Sequence, residues 1–445
     1  MEQKREQTSA TKSIGIVNEL GKLGRGWYDY ARETKQKGGH IAWAMFGPPP
    51  EILLALDVVP IYTEQYAAAM AARQRAEESC EWADKTGYNI DICGYCRLGL
   101  GYTALESRLG HTPENPAYSG LPEPDILLGR SHCDPGYKWY QTSQHLTGKE
   151  LPYFIYENLY PVPDSGHFIG DKEIDEQYVK FYRKQVEEMV AFLEKHTGKK
   201  MDLDRLREKI EVSQEMRQLW YDIYLMRRAI PAPMPTGDFM TCVFPYMTMH
   251  ASDEGLDFLR RLHSEVKHRV DNKIGVVPEE KHRILWIGIP PWFHMSIFNY
   301  FEKFGGVSCI EFQYPPALPI DVDLDDPLGA LAKRDHFAGT LSQHLISFPS
   351  RGEECYGIMG GCYRPVRHVM QMVEDYSIDG LVIHHITSCR NALIGHTHGR
   401  RVIRERLGLP TLFLESDMVD PRGYDEEADF RAINTFMEQL ADTRK

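Results

Sequence analysis

Three cysteines in separate parts of the chain could together bind a metal cluster. Cys93 lies in the stretch Asp91–Gly101 (DICGYCRLGLG), at the start of a predicted helix. Cys133 follows the apolar run DILL, and Cys389 follows the apolar run LVIHHI. Both runs are predicted to be buried strands, and open α/β sheets place their sites in loops at strand carboxyl ends. The sequence therefore predicts an iron–sulfur site with Cys93, Cys133 and Cys389 as ligands.

The chemistry of thiolates favours iron at such a site. A thiolate is a soft, charged ligand that binds iron well. Three thiolates on a four-iron cluster leave one iron without a cysteine, and that iron is open to water or to a substrate oxygen. A cluster with incomplete cysteine ligation can therefore take part in chemistry as well as transfer electrons.

Other roles for these cysteines stay open at the level of the sequence. Free cysteines are commonly small, buried, apolar residues. Cys93 and Cys96 form a C-x-x-C motif, as in thioredoxin-type redox sites, but the residues before it, TGYNID, do not form an apolar strand. A four-cysteine zinc site would need two close pairs, and Cys355 and Cys362 are too far apart in sequence to make a good second pair.

The composition indicates a folded protein large enough for two or three domains. The chain has 445 residues, of which 42% are hydrophobic. Its net charge of −13, with no concentrated basic stripe, argues against nucleic acid as the main partner. The N-terminus lacks an apolar h-region, and three prolines interrupt the most apolar segment. We therefore expect a cytoplasmic protein with no membrane span, in which nine cysteines favour metal or redox roles over disulfides.

Strands and helices alternate in both halves of the sequence, which predicts an α/β fold. The predicted strands are 40–46, 58–62, 125–129 and 152–156 in the first half, and 283–289, 307–314, 380–386 and 410–415 in the second. Strands linked by helices form parallel sheets, so we expect two Rossmann-like or flavodoxin-like lobes. Three long helices between them predict a helical insert. The predicted division is an N-terminal helix with the first lobe (1–165), a helical middle region (166–275) and a second lobe (276–445).

Five stretches, in order, resemble the benzoyl-CoA reductase / 2-hydroxyacyl-CoA dehydratase component proteins. They are GPPPEILLALDVVP at 47–60, DICGYCRLGLG, DILLGRSHCDPGYKW at 125–139, GLVIHHITSC at 380–389 and PTLFLESDMVDPR at 410–422. The family pattern C-x-Y-x-[KR] matches Cys93, Tyr95 and Arg97, so Cys93 is the inferred ligand and Cys96 is an additional cysteine. DDPLGALA at 325–332 and VDPRGY at 419–424 look most like the larger, catalytic subunit of ATP-dependent benzoyl-CoA reductase.

The resemblance implies a cofactor, partners and a reaction. The cofactor is a [4Fe–4S] cluster held between two α/β lobes by Cys93, Cys133 and Cys389. The implied partners are a paralogous cluster-binding subunit, an ATP-hydrolysing iron–sulfur activator with reduced ferredoxin upstream, and an acyl-CoA substrate. The expected reaction is the dearomatisation of benzoyl-CoA to a cyclic dienoyl-CoA by low-potential single-electron transfer.

A dry pocket beside the cluster is predicted from two proline turns. Gly47–Pro50 and Ile289–Trp292 each end a predicted strand, one in each lobe. Glu51, at the start of the helix after the first turn, is the candidate catalytic acid or base; the alternative role is pairing with the helix dipole. Three aromatic residues could line the pocket: Trp43, Trp292 and Phe293.

Three further functions fit the same residues. A 2-hydroxyacyl-CoA dehydratase component would use the same electron only catalytically. A reductase with a double-cubane cluster would need more ligands, which Cys96, Cys355 and Cys362 could supply. An electron-relay subunit would leave the active site to its partner.

Overall fold

Two four-stranded parallel sheets organise the chain. The computed structural model describes residues 10–131, 133–157, 172–317, 319–344, 355–359, 362–390 and 396–443. Each sheet is built from one of the two predicted lobes, and helices surround both. The predicted α/β fold with two small parallel sheets is therefore confirmed.

The first sheet has the strand order β2-β1-β3-β4, with every neighbouring pair parallel. Its strands are β1 (His40–Ala44), β2 (Val58–Tyr62), β3 (Ile126–Arg130) and β4 (Tyr153–Tyr156). The helices of this part of the chain are α1 (Leu20–Gln36), α2 (Pro50–Ala55), α3 (Thr63–Ala72), α4 (Glu77–Lys85), α5 (Gly94–Leu109) and α6 (Asp134–Thr147). β2 is buried along its whole length, because helices cover both faces of a parallel sheet.

The helices of the predicted middle region pack against both sheets. They are α7 (Lys172–Thr197), α8 (Leu203–Met226), α9 (Thr236–Val243) and α10 (Asp253–Asp271). Asp202 and Ser252 cap the N-termini of α8 and α10 by accepting backbone amide hydrogen bonds. α7 and the start of α8 share a core with β1–β3, whereas the end of α8, α9 and α10 share a core with the second sheet. The domain boundaries at 165 and 275 stay a prediction.

The second sheet has the strand order β10-β9-β5-β6, again with every pair parallel. Its strands are β5 (His282–Ile287), β6 (Gly306–Glu311), β9 (Gly380–Ile386) and β10 (Thr411–Ser416), and an antiparallel hairpin is formed by β7 (Cys355–Met359) and β8 (Cys362–Pro365). The remaining helices are α11 (Ile297–Glu302), α12 (Pro327–His344), α13 (Val366–Asp375), α14 (His396–Leu407) and α15 (Glu426–Thr443).

The structure differs from the predicted elements in two ways. The sequence pattern over 64–85 predicts a single helix, but the structure divides it into α3 and α4. Gln74 has a φ of +58°, which a continuing helix does not allow, and its side-chain amide donates to the Phe293 carbonyl at 2.6 Å. The sequence analysis also missed α9, α11, α12 and the β7–β8 hairpin.

A shared hydrophobic core joins the two lobes. Tyr95 and Cys96 of α5 pack in one cluster with Ile386, at the end of β9, and Met418, after β10. Fully burying a large apolar side chain contributes roughly 1.5–3 kcal/mol, so this core fixes α5 against the second lobe. None of the helices in the described ranges combines the length and the apolar character needed to cross a membrane.

Candidate functional site

The three predicted ligands lie at the ends of elements from both lobes. Cys93 is the residue before α5, and Cys133 is the residue before α6. Cys389 follows β9, and its amide donates to the Ile386 carbonyl. All three are partly exposed, and none forms a disulfide. Two of them therefore stand at helix N-termini, where the helix field favours a negatively charged sulfur.

The thiols interact with one another electrostatically. Burial raises the pKa of Cys93, and the thiols of Cys389 and Cys133 raise it further. Cys96 also contributes to this shift, but it is buried inside α5. The fold thus brings the three predicted ligands, which come from distant parts of the chain, into one neighbourhood. In the described ranges no group of three or more His, Cys, Asp and Glu side chains is arranged to hold a single metal ion.

The start of α5 is fastened to the second lobe. The Gly94 amide donates to Ser388 Oγ at 3.2 Å, which joins the residue after Cys93 to the residue before Cys389. A Cβ atom on Gly94 would lie 2.9 Å from Asp417 Oδ2 and closer still to Oδ1. Only glycine therefore fits between the two lobes at this position.

An ion-pair network extends the same connection along α5. The buried Arg97 guanidinium pairs with Asp420, in the loop after β10. Asp420 also accepts from Arg422 at 2.7 Å, and Arg422 reaches Asp84 of α4 at 2.8 Å. Both Arg97 and Asp420 are almost completely buried, so this network holds the loop after β10 against the helix that carries Cys93.

The aromatic residues predicted to line a ring pocket belong to the interlobe core. Trp292 donates its indole N–H to Tyr95 Oη at 2.5 Å. Trp43 donates to the Pro122 carbonyl at 2.8 Å, and Phe293 is buried. These three side chains pack in the same cluster as Tyr95, and they do not line the cavity described next.

A cavity of about 380 Å³ lies beside the first proline turn. We call it the arginine cavity, because three arginines line it: Arg130, Arg217 and Arg334. Its other lining residues include the Phe46–Pro50 turn, Tyr62, Trp220, Tyr246, His250, Tyr314 and Asp335. Tyr314 connects it with the cysteine site, since this residue lies beside Tyr95 and within electrostatic range of Cys389. The turn Gly47–Pro50 thus borders the cavity as predicted, whereas Ile289–Trp292 is absent from its described lining.

Glu51 is a completely buried partner of Arg334. The guanidinium contacts both carboxylate oxygens, with Nη2 to Oε2 at 3.1 Å. Burial by itself would raise the pKa of Glu51, but the charge and the hydrogen bonds of Arg334, together with smaller contributions from His250 and Arg217, outweigh it and lower the pKa to about 2. Glu51 is therefore ionised at neutral pH, a state that can accept a proton but not donate one. Its catalytic role stays a prediction.

Glu64 is a titratable group that the sequence analysis missed. Its carboxylate accepts from the Phe46 amide at 3.1 Å, and burial raises its pKa to about 7. It lies within electrostatic range of Cys96 and Tyr314, between the cysteine site and the arginine cavity. In the sequence, a glutamate in the first turn of a helix suggests only a favourable dipole interaction.

Comparison with known proteins gives one family over most of the chain. The model of the family "2-hydroxyglutaryl-CoA dehydratase, D-component" matches residues 46–440. The chain belongs to this family. The match includes all three predicted cysteine ligands and every residue named in the lining of the arginine cavity.

The curated relatives of this chain have two kinds of activity. The (R)-2-hydroxyisocaproyl-CoA dehydratase alpha subunit of Clostridioides difficile is 26% identical over 94% of both chains. The (R)-phenyllactyl-CoA dehydratase alpha subunit of Clostridium sporogenes is 25% identical over 89% of this chain and 88% of its own length. A benzoyl-CoA reductase subunit of Thauera aromatica is also 25% identical, with the same two coverages. The family resemblance is confirmed, and these identities do not separate a dehydratase from a reductase.

Proposed function

We propose that this chain is the iron–sulfur subunit of an enzyme that performs single-electron chemistry on an acyl-CoA thioester. The observation that carries the proposal is the convergence of Cys93, Cys133 and Cys389 beside a charged cavity. Family membership supports the acyl-CoA substrate, because the related proteins act on acyl-CoA thioesters.

The three thiols fit a [4Fe–4S] cluster by their chemistry. Ionising three neighbouring, partly buried thiols requires a compensating cation, and iron supplies one. Cysteine ligands of a four-iron cluster bind different irons, so they need not surround a single ion. Cys93, Cys133 and Cys389 would hold the cluster, which supplies low-potential electrons and an iron without a cysteine ligand when bound.

The protein's own residues would position the substrate and control protons. The ionised Glu51 is a proton acceptor at the wall of the arginine cavity, and Glu64 can hold a proton near neutral pH. The proline turn Gly47–Pro50 and the surrounding aromatic rings line the same space and would shield a bound acyl group from water. Exclusion of water protects a reactive radical from stray protons.

Within this class, we propose the reduction of benzoyl-CoA to a cyclic dienoyl-CoA. The support is in the sequence, where the stretches at 325–332 and 419–424 look most like the larger benzoyl-CoA reductase subunit. This assignment requires a paralogous cluster-binding subunit and an ATP-hydrolysing activator fed by reduced ferredoxin. The related proteins are likewise named as subunits.

A 2-hydroxyacyl-CoA dehydratase is the second candidate, and the lining of the cavity favours it. Three arginines, a histidine and the carboxylate of Asp335 line the cavity, and the carboxylate of Glu51 lies behind the lining, bound to Arg334. Such a polar lining suits a polar acyl group better than a benzene ring. In that reaction water leaves the 2-hydroxyacyl thioester to give an enoyl thioester, with no net uptake of electrons.

The stoichiometry of electrons distinguishes the two reactions. The chain, its paralogous partner and the activator are supplied with ATP, a strong reductant and either benzoyl-CoA or a 2-hydroxyacyl-CoA. The reductase assignment expects ATP and reductant to be consumed at every turnover, with loss of the aromatic thioester. Many turnovers of the 2-hydroxyacyl-CoA after one activating electron, with benzoyl-CoA unchanged, would establish the dehydratase instead. If neither thioester is converted, the proposed class itself is contradicted.

A further inference from the structure

The arginine cavity contains a guanidinium, that of Arg217, which interacts electrostatically with Glu51 and Asp335 but forms no hydrogen bond with either of them. Arg217 lies on α8, and its Nε atom is buried without a hydrogen-bond partner in the part of the chain that the structure describes. Burial lowers the pKa of Arg217, and the neighbouring Arg334 charge lowers it further. The Nη groups of Arg217 are not among the buried atoms and donate no hydrogen bond in the described ranges, so they are the donors that can reach the cavity. A guanidinium in such a place is stabilised when an anion accepts its hydrogen bonds, so the geometry points to an anionic ligand.

The carboxylates near the cavity do not supply that anion. Glu51 binds Arg334 through both of its oxygens, and it accepts no hydrogen bond from Arg217. Asp335 accepts from the Tyr156 hydroxyl, and its Oδ1 lies 3.8 Å from Arg334 Nε. Both carboxylates therefore leave the guanidinium of Arg217 without a hydrogen-bonded counterion.

His250 adds no competing positive charge. Its Nδ1 faces the Tyr246 carbonyl at 3.0 Å and therefore carries the proton. Burial lowers the pKa of His250 to about 3, so the ring is neutral at physiological pH. Its Nε2 is buried without a hydrogen-bond partner in the described ranges, and in this tautomer it is an acceptor. His250 therefore adds an uncharged surface to the cavity beside Arg217.

We propose that Arg217 binds an anionic oxygen group of the acyl-CoA ligand in the arginine cavity. This inference rests on the proposed function, because it takes the ligand to be an acyl-CoA. Two sources offer the same chemistry: a carboxylate at the far end of the acyl group, and a phosphate of the coenzyme. A volume of about 380 Å³ suits an acyl group rather than the whole coenzyme, so the acyl carboxylate is the expected source.

Calorimetric titration of the full-length chain under anaerobic conditions tests the proposal. The probes are succinyl-CoA and butyryl-CoA, which differ in a terminal carboxylate, and the matching pantetheine thioesters, which lack every phosphate. A charged hydrogen bond of this kind corresponds to roughly a tenfold or larger change in affinity. We expect Arg217→Gln to weaken succinyl-CoA binding by that factor and to leave butyryl-CoA binding unchanged. Arg217→Lys, which keeps the charge, should recover part of the loss.

The pantetheine thioesters identify the source of the anion. If it is the acyl carboxylate, succinyl-pantetheine shows the same loss in Arg217→Gln. If it is a coenzyme phosphate, both CoA esters show the loss and neither pantetheine ester does. Arg207→Gln is the matched control, because Arg207 is on the same helix but does not line the cavity. Thermal melting verifies that each variant is folded.

Two results would separate a failure of the role of Arg217 from a failure of the proposed function. Equal affinities of the wild type and Arg217→Gln for both CoA esters would overturn the role of Arg217 while leaving the proposed function intact. No binding of any thioester by the wild-type chain would contradict the proposed function, and the inference would fall with it.

Discussion

The residues of the candidate site divide into those that the sequence could identify and those that it could not. Cys133 and Cys389 follow apolar strands, which is a local pattern, so their loops were predicted correctly. The pairing of Glu51 with Arg334 joins residues 283 positions apart, and no local pattern carries that information. Arg217 and Glu64 were missed for the same reason, because burial and long-range neighbours give these residues their properties.

The Glu51–Arg334 pair provides a test of stability at the scale of single residues. We expect Glu51→Gln to lower the free energy of unfolding by roughly 3–5 kcal/mol, because it leaves Arg334 charged and buried without its partner. The double variant Glu51→Gln/Arg334→Met removes both charges and should recover more than half of that loss. Urea unfolding of the three proteins measures both effects. A single variant within about 1 kcal/mol of the wild type would contradict a tight ion pair.

Glu64 gives a pH-dependent prediction with a defined sign. Its pKa is raised from 4.5 to about 7 in the folded protein, so the folded state holds a proton that the unfolded state has released. The resulting cost to stability is absent below pH 4.5, grows as the pH rises to about 7, and is constant above that.

Glu64→Gln removes this titration while keeping an acceptor for the Phe46 amide. Relative to the wild type, the variant should therefore gain stability between pH 5 and pH 8, by at most about 3 kcal/mol. Urea unfolding at the two pH values measures the gain. The exposed Glu438→Gln on α15 is the control and should show no such trend. An equal difference between Glu64→Gln and wild type at both pH values would exclude the raised pKa.

At the scale of elements, the sequence predicted the regular strands well and the contacts between elements poorly. β2 and β9 have the predicted bounds, because each is a short apolar run between turn residues. α12 was missed, although it carries Arg334 to the arginine cavity. The sequence identified the loop after β10 only as a family motif. It could not predict that this loop binds α5, because that contact depends on packing between the lobes.

Gly94→Ala tests the close approach of α5 to that loop. The added Cβ would collide with Asp417, and the carboxylate cannot easily move because it accepts from the amides of Val419 and Asp420. We expect a loss of about 1–3 kcal/mol in the free energy of unfolding. Gly26→Ala is the control, since nothing lies within 4 Å of its added Cβ in α1, and it should gain about 0.5–1 kcal/mol. Equal effects of the two substitutions on denaturant unfolding would contradict the close contact.

At the scale of the whole molecule, the predicted ligands connect the two lobes. Cys93 and Cys133 come from the first lobe and Cys389 from the second. The interlobe core and the Arg97–Asp420 ion pair join the two lobes next to these cysteines. The middle helices pack on both sheets, which adds to the same rigidity. The sequence predicted two lobes and a helical insert, but it could not predict this sharing of cores, because side-chain packing across domains leaves no periodic pattern along the chain.

The iron content of the chain tests whether the lobes share a cluster. If Cys93, Cys133 and Cys389 hold one [4Fe–4S] cluster, the anaerobically purified chain should contain about four irons and about four acid-labile sulfides, and air should bleach its brown colour. Each of Cys93→Ser, Cys133→Ser and Cys389→Ser should lose most of the iron, since two thiolates remain. Cys309→Ser is the control, because that thiol is buried in β6 and faces the Ile284 carbonyl. Full retention of iron by Cys389→Ser would exclude a cluster shared between the lobes, and about eight irons in the wild type would indicate a double-cubane cluster instead.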